Sequence, residues 1–321
     1  MLMAVCHSSK TGWTQVKELE TLSDLRAQAG NVLWAEADVS TLTEKDTETI
    51  AEEFGLHPLA VEDAVNTRQR PKLESYEGHL FLVFHQLDEI EGQFEACQIA
   101  CFIGERYVLV LHDHADRVLE AAKKRFSQGE ERLDSAAFLV YTMLDVVVDD
   151  YQAKADRLED EMEGLEEIVL VTPTAPVQRQ LYSTKQRIAR LRRYVVPVTR
   201  LLDWTLDPAH RTFSDDSRDL FRDIQDHVLR MTDQIRNIDE LSDAVLDLVR
   251  SEQANALNDV NKRLAAWAAI FGVGTFIAGV YGMNFRLVPR DQTLYGFWFA
   301  IALMFVCSAG LYAYFKRRGW L

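Results

Sequence analysis

A chain of 321 residues with 50 Asp and Glu against 35 Lys and Arg carries a formal net charge of −15. That balance excludes nucleic acid as a partner, because binding it needs a basic face, and it suits a protein that attracts cations. The length has room for a soluble domain of roughly 200 residues plus a membrane segment.

The start, residues 1–10, lacks an apolar core of secretory-signal length, so the soluble bulk is expected in the cytoplasm. Residues 1–130 read as a mixed α/β domain. A strand is predicted over 32–37, a helix over 43–54 capped by Thr43 or Thr41, and a strand over 80–87. A hairpin of 97–103 and 107–111 turns around Gly104-Glu105-Arg106. An open sheet flanked by helices follows. The cysteines Cys6, Cys97, Cys101 and Cys307 form no C-x-x-C pair and meet no histidines at zinc spacing. Cys97 and Cys101 share a strand face and read as buried thiols. His112-Asp113-His114, with Asp116, places two histidines at i and i+2, as two metal ligands would be. Their position at a strand end before a helix favours solvated capping residues.

Residues 131–212 predict a helical hairpin. Leu144, Val148, Tyr151, Ala155, Leu158, Met162 and Leu165 follow a heptad, and after Pro173 and Pro176 so do Val177, Leu181, Thr184, Ile188, Leu191, Val195 and Val198. The first arm is acidic near the turn (Glu159, Asp160, Glu161, Glu163, Glu166, Glu167). The second is basic (Arg179, Lys185, Arg187, Arg190, Arg192, Arg193). Opposite charges are expected to favour their pairing, each exposed pair by ~1 kcal/mol or less.

From 217 to 282 there is no proline and, before Gly272, no glycine, so one helix on the order of 100 Å long is predicted. Its stalk covers 213–263. Phe221, Ile224, Val228, Met231, Ile235, Ile238, Leu241, Val245 and Leu248 form an apolar seam. Nearly opposite runs a polar stripe: Asp223, Asp226, Arg230, Asp233, Asn237, Glu240, Ala244, Asp247, Ser251, Ala254, Asn258 and Asn261. The same face continues as Ala265, Ala268, Gly272, Thr275, Gly279 and Gly282. Small residues also suit helix–helix contacts, but Asn258 and Asn261 near a membrane boundary need water or a partner. A ring of such helices would line a conduction path, and one chain supplies one helix, so an oligomer is required.

Residues 264–285 and 294–315 are two uncharged spans, each about long enough for ~30 Å of hydrocarbon. They are joined by an external loop, 286–293. Lys262 and Arg263 precede the first, and the basic tail 316–321 follows the second. The loop holds only Arg286 and Arg290. Both termini are therefore expected inside.

Tyr281-Gly282-Met283-Asn284, followed by an aromatic at the end of the first of two terminal spans, resembles the CorA family of divalent-cation channels. So do residues 57–64, His57-Pro58-Leu59-Ala60-Val61-Glu62-Asp63-Ala64, and the stretch Gln69-Arg70-Pro71-Lys72. The resemblance covers most of the chain. It implies an α/β cytoplasmic domain, a long helical stalk and two C-terminal transmembrane helices in a funnel-shaped homopentamer of the plasma (inner) membrane. Tyr281 to Asn284 would form the selectivity filter, and Asn258, Asn261, Leu264, Gly272, Thr275 and Gly279 would line the pore. Regulatory carboxylates would be Asp247 with Asp63 of a neighbouring subunit, and a second set would lie near Glu62, Asp145, Asp223 and His227. The substrate would be Mg²⁺, also acting as regulator, with Co²⁺ and Ni²⁺ as companions and no further cofactor.

Mg²⁺ dehydrates reluctantly, so neutral oxygens such as the Asn284 carbonyl suit its water shell better than carboxylates. Met283, a soft thioether, suits packing. Two departures from the family bear on the pore. Val288-Pro289-Arg290-Asp291 stands where many members have an acidic loop, and Gly272 stands where a pore Met is common. The zinc-transporting ZntB branch remains an alternative. So does a membrane-anchored coiled-coil scaffold, which would need neither the asparagines nor the filter tetrad. A metal-dependent hydrolase using His112 and His114 lacks a nucleophile, a phosphate loop and a third ligand.

Overall fold

The computed structural model describes residues 3–8, 12–16, 31–128, 136–171, 175–207, 215–283 and 294–321. Two compact units divide it, Met1–Ala244 and Val245–Leu321.

Seven strands build the sheet of the first unit: β1 (Met3–Ser8), β2 (Gly12–Val16), β3 (Asn31–Asp38), β4 (Lys72–Tyr76), β5 (His79–Ile90), β6 (Gln93–Ile103) and β7 (Tyr107–His112). They lie in the order β2-β1-β3-β7-β6-β5-β4. Among the described residues only the β3–β7 pair is parallel. β5 and β6 join through Glu91 and Gly92, both in the left-handed region (φ 51° and 73°), as a two-residue hairpin matched to strand twist requires. The predicted strands and hairpin are all present. Sequence reading missed β1, β2 and β4.

Helices cover both faces. On one, α1 (Glu44–Phe54) and α2 (Pro58–Val65) bring Ile50, Phe54, Ala60 and Ala64 onto Leu33, Ala35, Phe81, Val83, Phe102 and Leu109 in one core. Thr43 caps α1 in a reciprocal box with Asp46. On the other face lie α3 (Asp116–Gln128) and α4 (Ala136–Val171). There the fully buried Trp34 donates from Nε1 to Glu36 Oε2 at 2.6 Å. Lys123 of α3 binds Glu36 at 2.7 Å with its ammonium 5.8 Å from the Trp34 ring.

The heptad residues of α4, from Leu144 to Leu165, are buried, as are Leu181 to Val198 of α5 (Ala175–Leu206). Their charges pair otherwise than expected. Of the basic arm, Arg187 reaches Glu161 on the acidic one. Lys185 instead meets Asp239 and Asp243, and Arg192 meets Asp239 at 3.0 Å, all on the long helix α6 (Asp215–Tyr281). Arg190 donates to the Phe94 carbonyl at 2.6 Å. The strip facing α6 thus takes two basic side chains of this arm, Lys185 and Arg192. The seam of α6 is buried from Phe221 to Ile238.

Cys101 is buried as expected, whereas Cys97 is only half-buried. Burial, with Asp88 beside it, pushes Cys97 up to about 12, and full burial pushes Cys101 higher.

Candidate functional site

His57 caps α2, its Nδ1 accepting from the Leu59 amide at 3.3 Å, and Pro58 occupies the first helical position. This short helix presents Glu62, which is exposed, and Asp63 in its last turn. Both Asp63 oxygens are engaged: Oδ1 accepts from Gln69 Nε2 at 2.8 Å and Oδ2 from Lys72 Nζ at 2.6 Å. Burial alone would lower the Lys72 ammonium, but its bonds to Asp63 and Glu74 hold it above the usual lysine value. Asp247 is exposed and pairs with Arg250 one turn on at 2.8 Å. Each of these two carboxylates therefore starts from a cation supplied by its own chain.

The second expected set is only partly assembled. Asp145 of α4 is ion-paired with Arg125, which also binds Asp149 at 2.9 Å. Burial raises the Asp145 carboxyl despite Arg125, with Asp149 and Asp223 adding in the same direction. Asp223 lies 4.0 Å from His227 on α6. Among the described residues no three His, Cys, Asp or Glu converge as a metal-binding group within the chain.

His112 and His114 are held apart in role. His112 is buried and accepts from the Ala115 amide at 3.2 Å, capping the approach to α3. Burial keeps its ring below the ordinary histidine value. His114 takes φ 53° and pairs with Asp38 at 3.1 Å. The capping expectation agrees with the His112 bond, but only His114 is solvated as expected, since the turn into α3 buries His112.

In the second unit, α6 and α7 (Leu294–Arg317) are long and apolar enough to cross a bilayer. They touch on one face of α6: Ser308 Oγ donates to the Ile270 carbonyl at 3.5 Å, Trp267 meets Tyr312 at 6.4 Å, and Ala266 and Ile270 are buried. At about 100° per residue, the stripe Ala265, Ala268, Gly272, Thr275, Gly279 lies roughly opposite that face. All five are exposed, as are Asn258, Asn261 and Leu264 above them. A Cβ added at Gly272 or Gly279 would meet open space. The Thr275 hydroxyl bonds the Phe271 carbonyl at 3.0 Å.

The first span ends at Tyr281. Gly282 donates to the Ala278 carbonyl at 2.9 Å and Met283, half exposed, to Val280 at 3.3 Å. A Cβ at Gly282 would stand 3.3 Å from the Ala278 oxygen, so the helix end is already crowded by its own backbone. Asn284 and the loop arginines Arg286 and Arg290 lie outside the described residues. At the far end of α7, Gly319 takes φ 71°, its amide reaches the Lys316 carbonyl, and Trp320 bonds and stacks on Phe315. Lys316 and Arg318 lie against the rings of Tyr312 and Tyr314. An aromatic and basic collar of this kind suits a membrane–water boundary.

Comparison with known proteins agrees with this arrangement. The profile described as CorA-like Mg2+ transporter protein matches residues 31–317. A cobalt/magnesium transport protein CorA of Thermotoga maritima is 30% identical over 276 residues, covering 85% of this chain and 79% of that protein. A putative metal ion transporter of Bacillus subtilis, YfjQ, is 27% identical with 96% of each chain covered. The complete structure of the CorA magnesium transporter from Methanocaldococcus jannaschii superposes with a TM-score of 0.83 at 19% identity over 99% of both chains.

Proposed function

The chain belongs to the CorA-like Mg2+ transporter family, and from that premise we propose that it forms a homopentameric divalent-cation channel. Mg²⁺ is its main substrate, and Co²⁺ and Ni²⁺ are further ones. It sits in the plasma (inner) membrane with both termini in the cytoplasm. The observation that carries the reading is the stripe of α6 left uncovered by α7, polar at Asn258 and Asn261 and then small at Gly272, Thr275 and Gly279. Copies around an axis would turn this stripe inward, giving a hydrated ion amide and hydroxyl oxygens with little side-chain bulk. Tyr281, Gly282, Met283 and Asn284 then form the filter, where neutral oxygens accept from the ion's waters and bind it weakly enough to release it.

Regulation follows from the carboxylates. An intracellular cation held between Asp63 of one copy and Asp247 of the next offsets their repulsion and favours a closed ring, with Glu62, Asp145, Asp223 and His227 contributing a second set. Lys72 and Arg250 occupy those carboxylates in its absence, so the ion must compete with an ammonium and a guanidinium. Lys72→Gln is expected to lower the Mg²⁺ concentration that protects the cytoplasmic region from protease by about two- to fivefold, the worth of one partly exposed pair. An unchanged midpoint would remove Asp63 from the sensor.

The deciding experiment is ion-resolved uptake into vesicles containing the purified protein. Mg²⁺ uptake that persists without a proton gradient supports a channel. Uptake of Zn²⁺ alone, driven by a proton gradient, overturns it.

A further inference from the structure

Arg68, Arg70 and Arg193 have no part in conduction or sensing as argued above, yet they converge. The segment joining α2 to β4, the strands β5 and β6, and α5 border an open cleft of about 520 Å³, along which Arg68, Arg70 and Arg193 lie exposed. Its lining includes these three arginines and no acidic side chain. Neighbouring arginines of α5 are satisfied within the fold, Arg192 by Asp239 and Arg190 by the Phe94 carbonyl. For Arg68, Arg70 and Arg193 no partner carboxylate is found among the described residues.

The floor of the cavity is unfinished as well. His85 is 2% exposed, its ring is bonded by the Gln69 backbone and lies 4.8 Å from Tyr194, and its Nδ1 has no hydrogen-bond partner among the described residues. With its other nitrogen donating to the Gln69 backbone, the neutral ring presents Nδ1 as an acceptor, which a donor such as water in the cavity would satisfy and a phosphate oxygen would not. Pro197 has no N–H for the Arg193 carbonyl four residues earlier, which loosens α5 where it borders the space. The arginine-bearing segment is fixed in place. Gln98, 1% exposed, accepts from the Gln69 amide at 3.0 Å and donates to the Asp63 and Ala64 carbonyls at 3.3 Å.

We propose that this cavity binds an anion of linked phosphates, a nucleoside di- or triphosphate or inorganic pyrophosphate, held by Arg68, Arg70 and Arg193. Guanidinium forks match phosphate oxygens two at a time. Three of them from two elements are balanced by linked phosphates, whereas a single phosphate would leave part of the set without counter-charge. In a chain of net charge −15 such a basic concavity runs against the overall field.

The test is isothermal titration of the full-length protein in detergent at physiological salt, with EDTA present so that metal complexes of the ligand are absent. The probes are ATP, ADP, pyrophosphate, phosphate and adenosine. Pyrophosphate or the nucleotides bind, and adenosine does not. Tighter binding of ATP and ADP assigns a nucleotide, and equal binding assigns the pyrophosphate group alone. Arg193→Ala and Arg70→Ala, checked for an unchanged melting profile, each weaken binding about tenfold or more, as loss of a charged hydrogen bond does. Arg179→Ala, on α5 but outside the cavity, leaves it unchanged. Absence of binding, phosphate binding as tightly as pyrophosphate, or an equal loss in Arg179→Ala overturns the proposal.

Discussion

Asn284→Ala protein in vesicles is expected to lose selective Mg²⁺ uptake by ~100-fold or more, with its assembly unchanged. In a pentamer the substitution removes five amide oxygens from one ring. Each bond to a coordinated water is worth about 0.5–1.5 kcal/mol, so the ring is worth several kcal/mol, enough for that loss. A carbonyl oxygen is suited to the place because it orients the ion's water without the full charge of a carboxylate. The residue follows Met283 directly, at the helix end where Gly282 and Met283 still donate to the preceding turn. Uptake measured against size-exclusion profiles separates a filter defect from a failure to assemble. Mg²⁺ uptake equal to that of the parent would place the filter elsewhere.

Acidification should weaken the α/β unit through His85, by on the order of 3 kcal/mol once the ring's full shift has been traversed. Burial lowers this ring from 6.5 to about 4, Arg193 adds to the effect, and the bond to the Gln69 backbone opposes it. In the unfolded chain the imidazole takes its proton near pH 6.5 and in the fold only near pH 4, so between these values the unfolded state holds more protons. The contribution is complete above pH 6.5 and lost as the pH falls through 4. Urea denaturation of the full chain at a series of pH values, followed by tryptophan fluorescence, should show a flatter profile for His85→Asn. The comparison has to be a difference, because burial lowers His79 and His112 too. Parallel profiles for parent and variant would mean that this ring takes up its proton at the same pH in the folded and unfolded chain.

Long-period patterns were the legible part of this chain. The heptads of α4 and α5 and the unbroken run of α6 repeat a burial contrast over many residues, while β3, β5, β6 and β7, covered on both faces, read as continuous apolar runs, and the observed elements match them. β4 is a strand at the sheet edge whose residues 72–76 are none of them fully buried, so its sequence carries no such contrast. The helix α2 was detectable from His57-Pro58, a cap followed by proline at the first helical position, but only as a boundary signal. Site chemistry was legible as residue types and not as partners. Asp63 is nine residues from the lysine that neutralises it, and Asp145 is twenty from Arg125. The arms' charges misled for the same reason. Complementary totals on two helices say nothing about which strip of each faces a third. The arginine cavity draws on four separated segments, and no single one of them has a telling composition.

Because Lys185 and Arg192 turn to α6 and Arg190 to a β6 carbonyl, with Arg187 alone of the described basic arm reaching Glu161, the acidic end of α4 keeps most of its charge. Asp160, Glu163 and Glu167 are exposed and, among the described residues, unmatched by lysine or arginine. Such a patch gathers a counterion cloud over about a Debye length, ~8 Å in physiological salt. Valence enters that crowding as an exponent, so a doubly charged ion is enriched by the square of the factor that applies to potassium. This end of α4 is therefore expected to gather divalent ions in preference to potassium, and raising monovalent salt should thin that cloud long before any specific ligand is disturbed.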